Sequence, residues 1–383
     1  MKKRKKFLPF AKPFLTAEEL KAVSAVLKSG YWTTGPKTAE FEKNISEYIG
    51  NGVHCVALNS CTSGLFCGLS AYGISKGDEV IVPTWTFAAT AQVVEWAGAS
   101  PVLCDIDQNN LNIDVKKISE LISKKTKAII PVHIAGYACD MAELKEIAKS
   151  HSLKIIEDAA HAIGAEYKNM KIGNTEDCAV FSFYTTKNLA CGEGGAVTSR
   201  NADIIEKIRK LSYFGINKQA YNRYTSKGSW FYEIEELGYK FNFDDIHAAI
   251  GIEQLKKLDA MNARRRIIVE NYKKLLSDKI QYTKTSKDRV HSNHLFPILL
   301  PEGIDRDKFI IELKEEWNVG ASVHFIPLHK HPYYRKKWKD SLFSSANYIF
   351  TRILSLPLFP EMTDNDVDYV ANAVNTIIRK VMK

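Results

Sequence analysis

Between residue 16 and about residue 200, short apolar runs of strand length alternate with helix-period segments, and this rhythm limits the possible folds more than any other feature. HCVALNS (54–60), GDEVIVP, PVLCDID, AIIPVHI, LKIIED and AVFSFY read as strands. TSGLFCGLSAYGI, AATAQVVEWAGA, DVKKISELISKK and MAELKEIAKSHS read as the helices between them, the last capped by Asp140. Ahead of them, Thr16 and Glu19 form a capping-box signature, Leu20, Val23 and Leu27 share one helical face, and Gly30 stops that helix. Strands joined through helices are parallel neighbours, so the expected architecture is α/β: a mostly parallel sheet flanked by helices on both faces.

The rhythm changes after about residue 245. A long helical stretch, DIHAAIGIEQLKKLDAMNARRRIIVENYKKLL, is followed by a few strands (LFPILL, ASVHF) and a last helix starting near Thr363. This predicts a large domain over residues 1–250 and a smaller C-terminal α+β domain over 251–383.

Composition removes several classes. With 383 residues, 45% hydrophobic and 25% charged, the chain has ordinary globular content and length enough for two cores. No apolar run approaches membrane-spanning length, and the opening MKKRKKFLPFAKPFL breaks its apolar residues with two prolines and Lys12, so a cytoplasmic protein without a secretion signal is expected. Seven scattered cysteines form no Cys-x-x-Cys pair, which argues against a disulfide framework. His291-x-x-His294 and His329-Lys-His331 lie in no frame that recruits carboxylate or thiolate partners, so no metal site is expected. The net charge of +9 is spread over helix faces without a basic stripe, which disfavours nucleic acid and suits a phosphorylated small molecule better.

Ligands of open parallel sheets bind beyond the carboxyl ends of the strands. Three stretches put polar groups there. In NSCTSGL, Thr62, Ser63 and Gly64 open a helix and can offer hydroxyls and N–H groups to an anion, although Ser60 or Thr62 could simply cap it. In LKIIEDAAHA, Asp158 ends an apolar strand with His161 three residues on; a carboxylate there pairs with a buried cation or caps the next segment. In FSFYTTKNLACGEGGAV, Ser182 and Lys187 bracket a strand end ahead of Gly192, Gly194 and Gly195. A partly desolvated lysine becomes a nucleophile toward carbonyls. An anion cradle, a carboxylate and an available amine together match the phosphate, pyridinium and aldehyde of pyridoxal phosphate.

With those motifs read, the chain resembles the DegT/StrS family of nucleotide-sugar aminotransferases. The resemblance rests on SGYWTTGPK, GDEVIVPTWTFAAT, AIIPVHIAG, IEDAAHAIGAEY, FSFYTTKN with GEGGAV, LGYKFNFDDIHAAIGIEQL and LSLPLFPEM, and so covers nearly the whole chain. It implies the type I aminotransferase fold and a homodimer with active sites at the subunit interface. It makes Lys187 the Schiff-base lysine and proton shuttle and Asp158 the partner of the pyridinium nitrogen. It sets His161 beside the phenolic oxygen, Phe87 on the ring, and Ser182, Thr62 and Ser63 at the phosphate. Lys240 and Asn242, in GYKFN, would serve the neighbouring subunit's cofactor, and His329 with Lys240 the substrate.

Some relatives carry histidine in place of this lysine and dehydrate deoxysugars; the lysine here favours transamination. Much of the family has Asn-Tyr-Arg where this chain has Lys240-Phe241-Asn242, a variant that looks like the branch making UDP-4-amino-4-deoxy-L-arabinose. IPLHKHPYY (326–334) resembles the broader family instead. The implied reaction moves an amino group from L-glutamate to a keto sugar nucleotide, a UDP-4-keto sugar on the branch resemblance, for lipid A or polysaccharide sugars. Another 3-keto or 4-keto sugar nucleotide, a cofactor-binding regulator without turnover, and a nucleic-acid binder acting through its charge stay open.

Overall fold

The computed structural model describes residues 3–50, 52–216 and 231–382. Strands of the first half are β1 (His54–Leu58), β2 (Glu79–Pro83), β3 (Ser100–Cys104), β4 (Thr126–Ile129), β5 (Lys154–Asp158), the short β6 (Glu166–Tyr167) and β7 (Met170–Lys171), β8 (Cys178–Ser182) and β9 (Gly195–Ser199). Seven of them form one sheet in the order β1-β9-β8-β5-β4-β2-β3. Pairing is parallel from β3 across to β8; β9 is antiparallel to both its neighbours and alone runs against the rest. The expected α/β sheet is therefore present, and this is the fold of the pyridoxal-phosphate-type architecture anticipated from sequence.

Successive strand residues point to opposite faces, and both faces are covered. Val80, Val82 and Val180 belong to one core with Leu65, Leu69, Val93 and Ile208 from α3 (Cys61–Ala71), α4 (Ala89–Trp96) and α7 (Ala202–Leu211). Ile81, Ala179 and Phe181 belong to the other, with Phe41, Ile118 and Leu144 from α2 (Pro36–Ile49), α5 (Val115–Leu121) and α6 (Met141–Ser150). Helix α1 (Ala17–Ser29) has the expected capping box at Thr16 and a left-handed Gly30 behind it.

Helix α8 (Asp245–Leu275) contains residue 250 and joins cores: Ile252 and Leu258 pack under the large sheet, Ile268 and Tyr272 in a further core. Its first residue, buried Asp245, accepts from the N–H groups of Gly35 (2.8 Å), Lys37 (3.0 Å) and Thr38 (2.8 Å), so one carboxylate caps α2 from across the fold. Beyond it lie β10 (Gln281–Tyr282), β11 (Arg289–Val290), β12 (Phe296–Leu299), α9 (Arg306–Glu315), α10 (Ser344–Phe350), β13 (Ile353–Leu356) and α11 (Asp364–Val381). β10, β12 and β13 make an antiparallel sheet, while β11 pairs with β6 beside β7. The opening segment joins this second half, with Leu8 donating to the Asn318 carbonyl and accepting from Gly320 N–H, both at 2.9 Å.

Two readings need correction. Asp140 makes no side-chain cap on α6, because its carboxylate pairs with Arg289. ASVHF is not a strand: only Ser322 bridges, to Ser355, and the chain then turns toward the large sheet. The Leu20 and Leu27 face of α1 is 66% and 47% exposed, while the buried side of that helix carries Glu19, which is held by Lys257, Gln254 and Thr16. Among the described residues no helix is long and apolar enough to cross a membrane.

Candidate active site

The carboxyl edge of the large sheet opens into a cavity of about 440 Å³. Strand β8 delivers Ser182 to its wall, and the chain then turns back to β9 through a loop pinned by Lys187 N–H to Tyr184 (2.8 Å), Cys191 N–H to Phe183 (2.8 Å) and Phe183 N–H to Gly194 (2.9 Å). Gly194 holds φ +140°, and a Cβ at Gly195 would lie 2.5 Å from Cys61 N, so this backbone can close on the start of α3 only without side chains. The loop leaves Lys187 half-buried on the cavity wall, where burial pulls its amine down to about 8.

Asp158 stands opposite, at the end of β5. Burial pushes its carboxyl up from the usual range, against hydrogen bonds from Thr90 Oγ1 (2.8 Å) and Ala160 N–H (3.2 Å). His161 accepts from Ala135 N–H at Nδ1 (3.2 Å), so its proton sits on Nε2. Burial holds its pKa well below the usual value, and the ring is neutral, stacked on Phe325 with centroids 5.9 Å apart. Phe87 is 63% exposed at the cavity, 5.8 Å from the same Phe325 ring. Thr62, in the first turn of α3, completes the wall below Ser182.

Six expected residues thus share one cavity: Lys187, Asp158, His161, Phe87, Ser182 and Thr62. Four others do not line it. Ser63 turns inward, its hydroxyl 2.7 Å from both Asn59 Oδ1 and the Ser60 carbonyl, in a capping box with Ser60. His329 is buried with Nδ1 2.6 Å from Thr84 Oγ1 and Nε2 3.0 Å from Asn347, so both nitrogens are taken inside the fold. Asn242 donates to Thr34 Oγ1 (2.7 Å), and exposed Lys240 lies over the Tyr213 ring at 4.5 Å.

The cavity also holds residues that sequence reasoning did not place there: Phe10, His294, His324 and Phe325. His294 lies 4.4 Å from the His161 ring, and its Nδ1 faces Asn188 Oδ1 at 3.0 Å. Phe10 stacks on His324 at 4.8 Å. The His291-x-x-His294 spacing was the one visible signal, and it pointed only at metals.

The sequence profile of the DegT/DnrJ/EryC1/StrS aminotransferase family matches residues 13–375. The chain is 45% identical to the spore coat polysaccharide biosynthesis protein SpsC of Bacillus subtilis, over 99% of each chain. Among solved structures it is similar to Spr1654 from Streptococcus pneumoniae in its PMP-form, with a TM-score of 0.92, 32% identity and coverage of 98% of this chain and 100% of that one. It is similar also to S. venezuelae DesV in complex with a ketimine intermediate, with a TM-score of 0.87, 31% identity and the same coverage. The donor set fits pyridoxal phosphate, since an amine of lowered pKa, a buried carboxylate and hydroxyls at a helix start all face one cavity. The chain belongs to the DegT/DnrJ/EryC1/StrS aminotransferase family and is a pyridoxal-phosphate-dependent sugar aminotransferase.

Proposed function

We propose that the enzyme transfers the amino group of L-glutamate to a nucleotide-linked keto sugar, a UDP-4-keto sugar of the keto-pentose kind, in the cytoplasm. The observation that carries the catalytic reading is Lys187, an amine of lowered pKa sharing one cavity with Asp158 and His161. When bound, pyridoxal phosphate supplies an aldehyde that receives the amino group and a protonated ring that draws electrons from the reacting carbon. Lys187 Nζ takes the proton from the donor's α-carbon and returns it on the cofactor side, as general base and then acid. Asp158 keeps its negative charge toward the ring nitrogen. His161 donates from Nε2 on the phenolic-oxygen side, Phe87 covers the ring face, and Thr62, Ser182 and the N-terminus of α3 hold the phosphate.

The partner is a second copy of this chain. Lys240 and Asn242 do not line the cavity of their own chain, and the Leu20 and Leu27 face of α1 is exposed. In the homodimer Lys240 and Asn242 serve the neighbouring site, where Lys240 also meets the substrate.

The Lys240-Phe241-Asn242 variant favours the UDP-4-keto sugar, and similarity to SpsC favours polysaccharide synthesis. IPLHKHPYY favours a second reading, another 3-keto or 4-keto sugar on UDP, GDP or dTDP. The test is to load the enzyme with cofactor, add glutamate, and screen UDP-, GDP- and dTDP-linked keto sugars for aminated product by mass. Product from a UDP-4-keto-pentose in preference to the others is expected. Cofactor bleaching by glutamate with no product from any keto sugar would leave a regulator instead, and Lys187→Ala at near wild-type rate would overturn the catalytic reading.

A further inference from the structure

The turn between β2 and α4 reads Thr84-Trp85-Thr86-Phe87, and three of its side chains tie the second half of the fold to the site. Thr84 reaches His329, the Trp85 indole donates to the His324 carbonyl at 3.0 Å, and Phe87 stands at the cavity. Thr86 also lines the cavity. Its hydroxyl lies 2.7 Å from that of Thr90, one helical turn on, and Thr90 Oγ1 lies 2.8 Å from Asp158 Oδ2. Both threonines are buried, at 2% and 0% exposure, so bulk water does not compete for these bonds.

The donor direction follows from what each group can do. An ionised carboxylate only accepts, so the single hydroxyl proton of Thr90 points at Asp158. Thr90 then has no proton left for Thr86, and Thr86 must donate to Thr90. The other carboxylate oxygen, Oδ1, accepts from Ala160 N–H at 3.2 Å. With one donor on each oxygen the carboxylate plane is fixed, and the remaining lone pairs are left for the cavity that Asp158 lines.

Charge points the same way. Asp158 is faced by Lys187 from the loop after β8, His133 from the loop after β4, Cys61 at the head of α3 and Cys139 ahead of α6, with His161 in the same cavity. Burial favours the neutral acid, and the bond from Thr90 is foremost among the contacts that oppose it.

We propose that Thr90 is a positioning residue of this aminotransferase: it keeps Asp158 ionised and aimed into the cavity, and Thr86 in turn orients Thr90. The proposal rests on the reading of Asp158 as the ring-nitrogen partner.

Thr90→Val keeps the shape and removes the donor, whereas Thr90→Ser keeps the donor. The full-length enzyme is stripped of cofactor, and its affinity for added pyridoxal phosphate is measured by absorbance across the pH range, beside turnover and melting temperature. Thr90→Val should bind the cofactor about tenfold or more weakly near pH 6, the effect of losing one hydrogen bond to a charged group. Its affinity should fall away at higher pH than in the wild type, because Asp158 takes up a proton more readily without that donor. Turnover number should drop with little change in KM, and Thr90→Ser should restore both readouts. Thr86→Val should shift both in the same direction by less. Wild-type affinity across the pH range in Thr90→Val, or equal impairment in Thr90→Ser, would overturn the proposal. If Thr90→Val does not fold, Thr90→Ala against Thr90→Ser makes the same comparison. Asp158→Asn is run in parallel: impairment there with a normal Thr90→Val sinks only the role of Thr90, whereas an unimpaired Asp158→Asn sinks the reading beneath it.

Discussion

Replacing Lys187 by methionine should make the cofactor-free protein more stable at neutral pH and no more stable in strong alkali. Burial brings the Lys187 amine from 10.5 to about 8. At about 1.4 kcal/mol per pH unit, and with some screening at the open side of a half-buried side chain, keeping it charged at pH 7 costs the folded state about 2 to 3 kcal/mol. The sign follows from proton counting. Between about pH 8 and 10.5 the unfolded chain holds this proton more tightly than the folded one, so wild-type stability rises with pH across that window. Below pH 8 the penalty is fully present, and above 10.5 it is gone. Methionine fills nearly the same volume without a charge, so its advantage should follow that curve. The value of about 8 already includes the attraction of Asp158, and Thr90 and Ala160 go on donating to that carboxylate in the variant, which limits the loss. For a chain of 383 residues, the gain corresponds to about 3 °C in melting temperature. The assay is thermal and urea unfolding of both stripped proteins from pH 7 to pH 10.5. A difference that does not change with pH, or a wild type that is the more stable at pH 7, would refute the reasoning.

The other expectations concern the same cavity. Asp158→Asn should raise the reaction barrier by several kcal/mol, as when a key electrostatic partner is removed; a fall of less than about tenfold in turnover would reduce Asp158 to a structural group. Gly195→Ala should destabilise by about 1 to 3 kcal/mol in urea unfolding, because the new Cβ meets the backbone of Ser60 and Cys61 at 2.5 Å and no side chain can move aside; an unchanged midpoint would mean the two segments can part freely. Lys187→Ala and Lys240→Ala, each impaired alone, should recover activity when co-expressed, since in a shared-site dimer one site carries both defects and the other neither. Verified heterodimers without activity would show that Lys240 serves its own chain.

The part of the site legible in the sequence is the part built by the alternating strands. Asp158 and Ser182 close β5 and β8 and Thr62 stands shortly after β1, strands recognisable by their short apolar runs, and in a parallel sheet all such ends meet on one edge. Lys187 follows the same rule one turn later. His294, His324, Phe325 and Phe10 obey no such rule, because they arrive from irregular segments far along the chain from the sheet edge they meet, and a contact of that separation leaves no period in the sequence. His329 lies off the cavity for a related reason. Its tract His329-Lys330-His331 looks like exposed polar loop, yet the packing of Phe343 on its ring at 4.3 Å and the hydroxyl of Thr84 make it a buried strut. A hydroxyl at a helix start serves a cap or a ligand equally well, and the Ser63 hydroxyl bonds Asn59 and Ser60.

The same contacts explain how two halves of the chain make one cavity. The floor comes from the large sheet, but part of the wall comes from residues beyond the long helix α8, so the geometry of the site depends on how firmly the halves are joined. The join is made at the β2–α4 turn: Leu328 N–H donates to the Thr84 carbonyl at 2.7 Å, Thr84 Oγ1 meets His329 at 2.6 Å, and the Trp85 indole holds the His324 carbonyl. Trp85 and His329 are almost wholly buried, so these bonds form without competition from water, and each would leave a costly unpaired group if broken. The turn therefore acts in both directions. Toward β5 it orients Asp158 through Thr86 and Thr90, and toward the second half it fixes the segment that carries His324 and Phe325. A turn tied in this way joins the carboxylate, the lysine loop and the aromatic wall although they come from three distant stretches of chain.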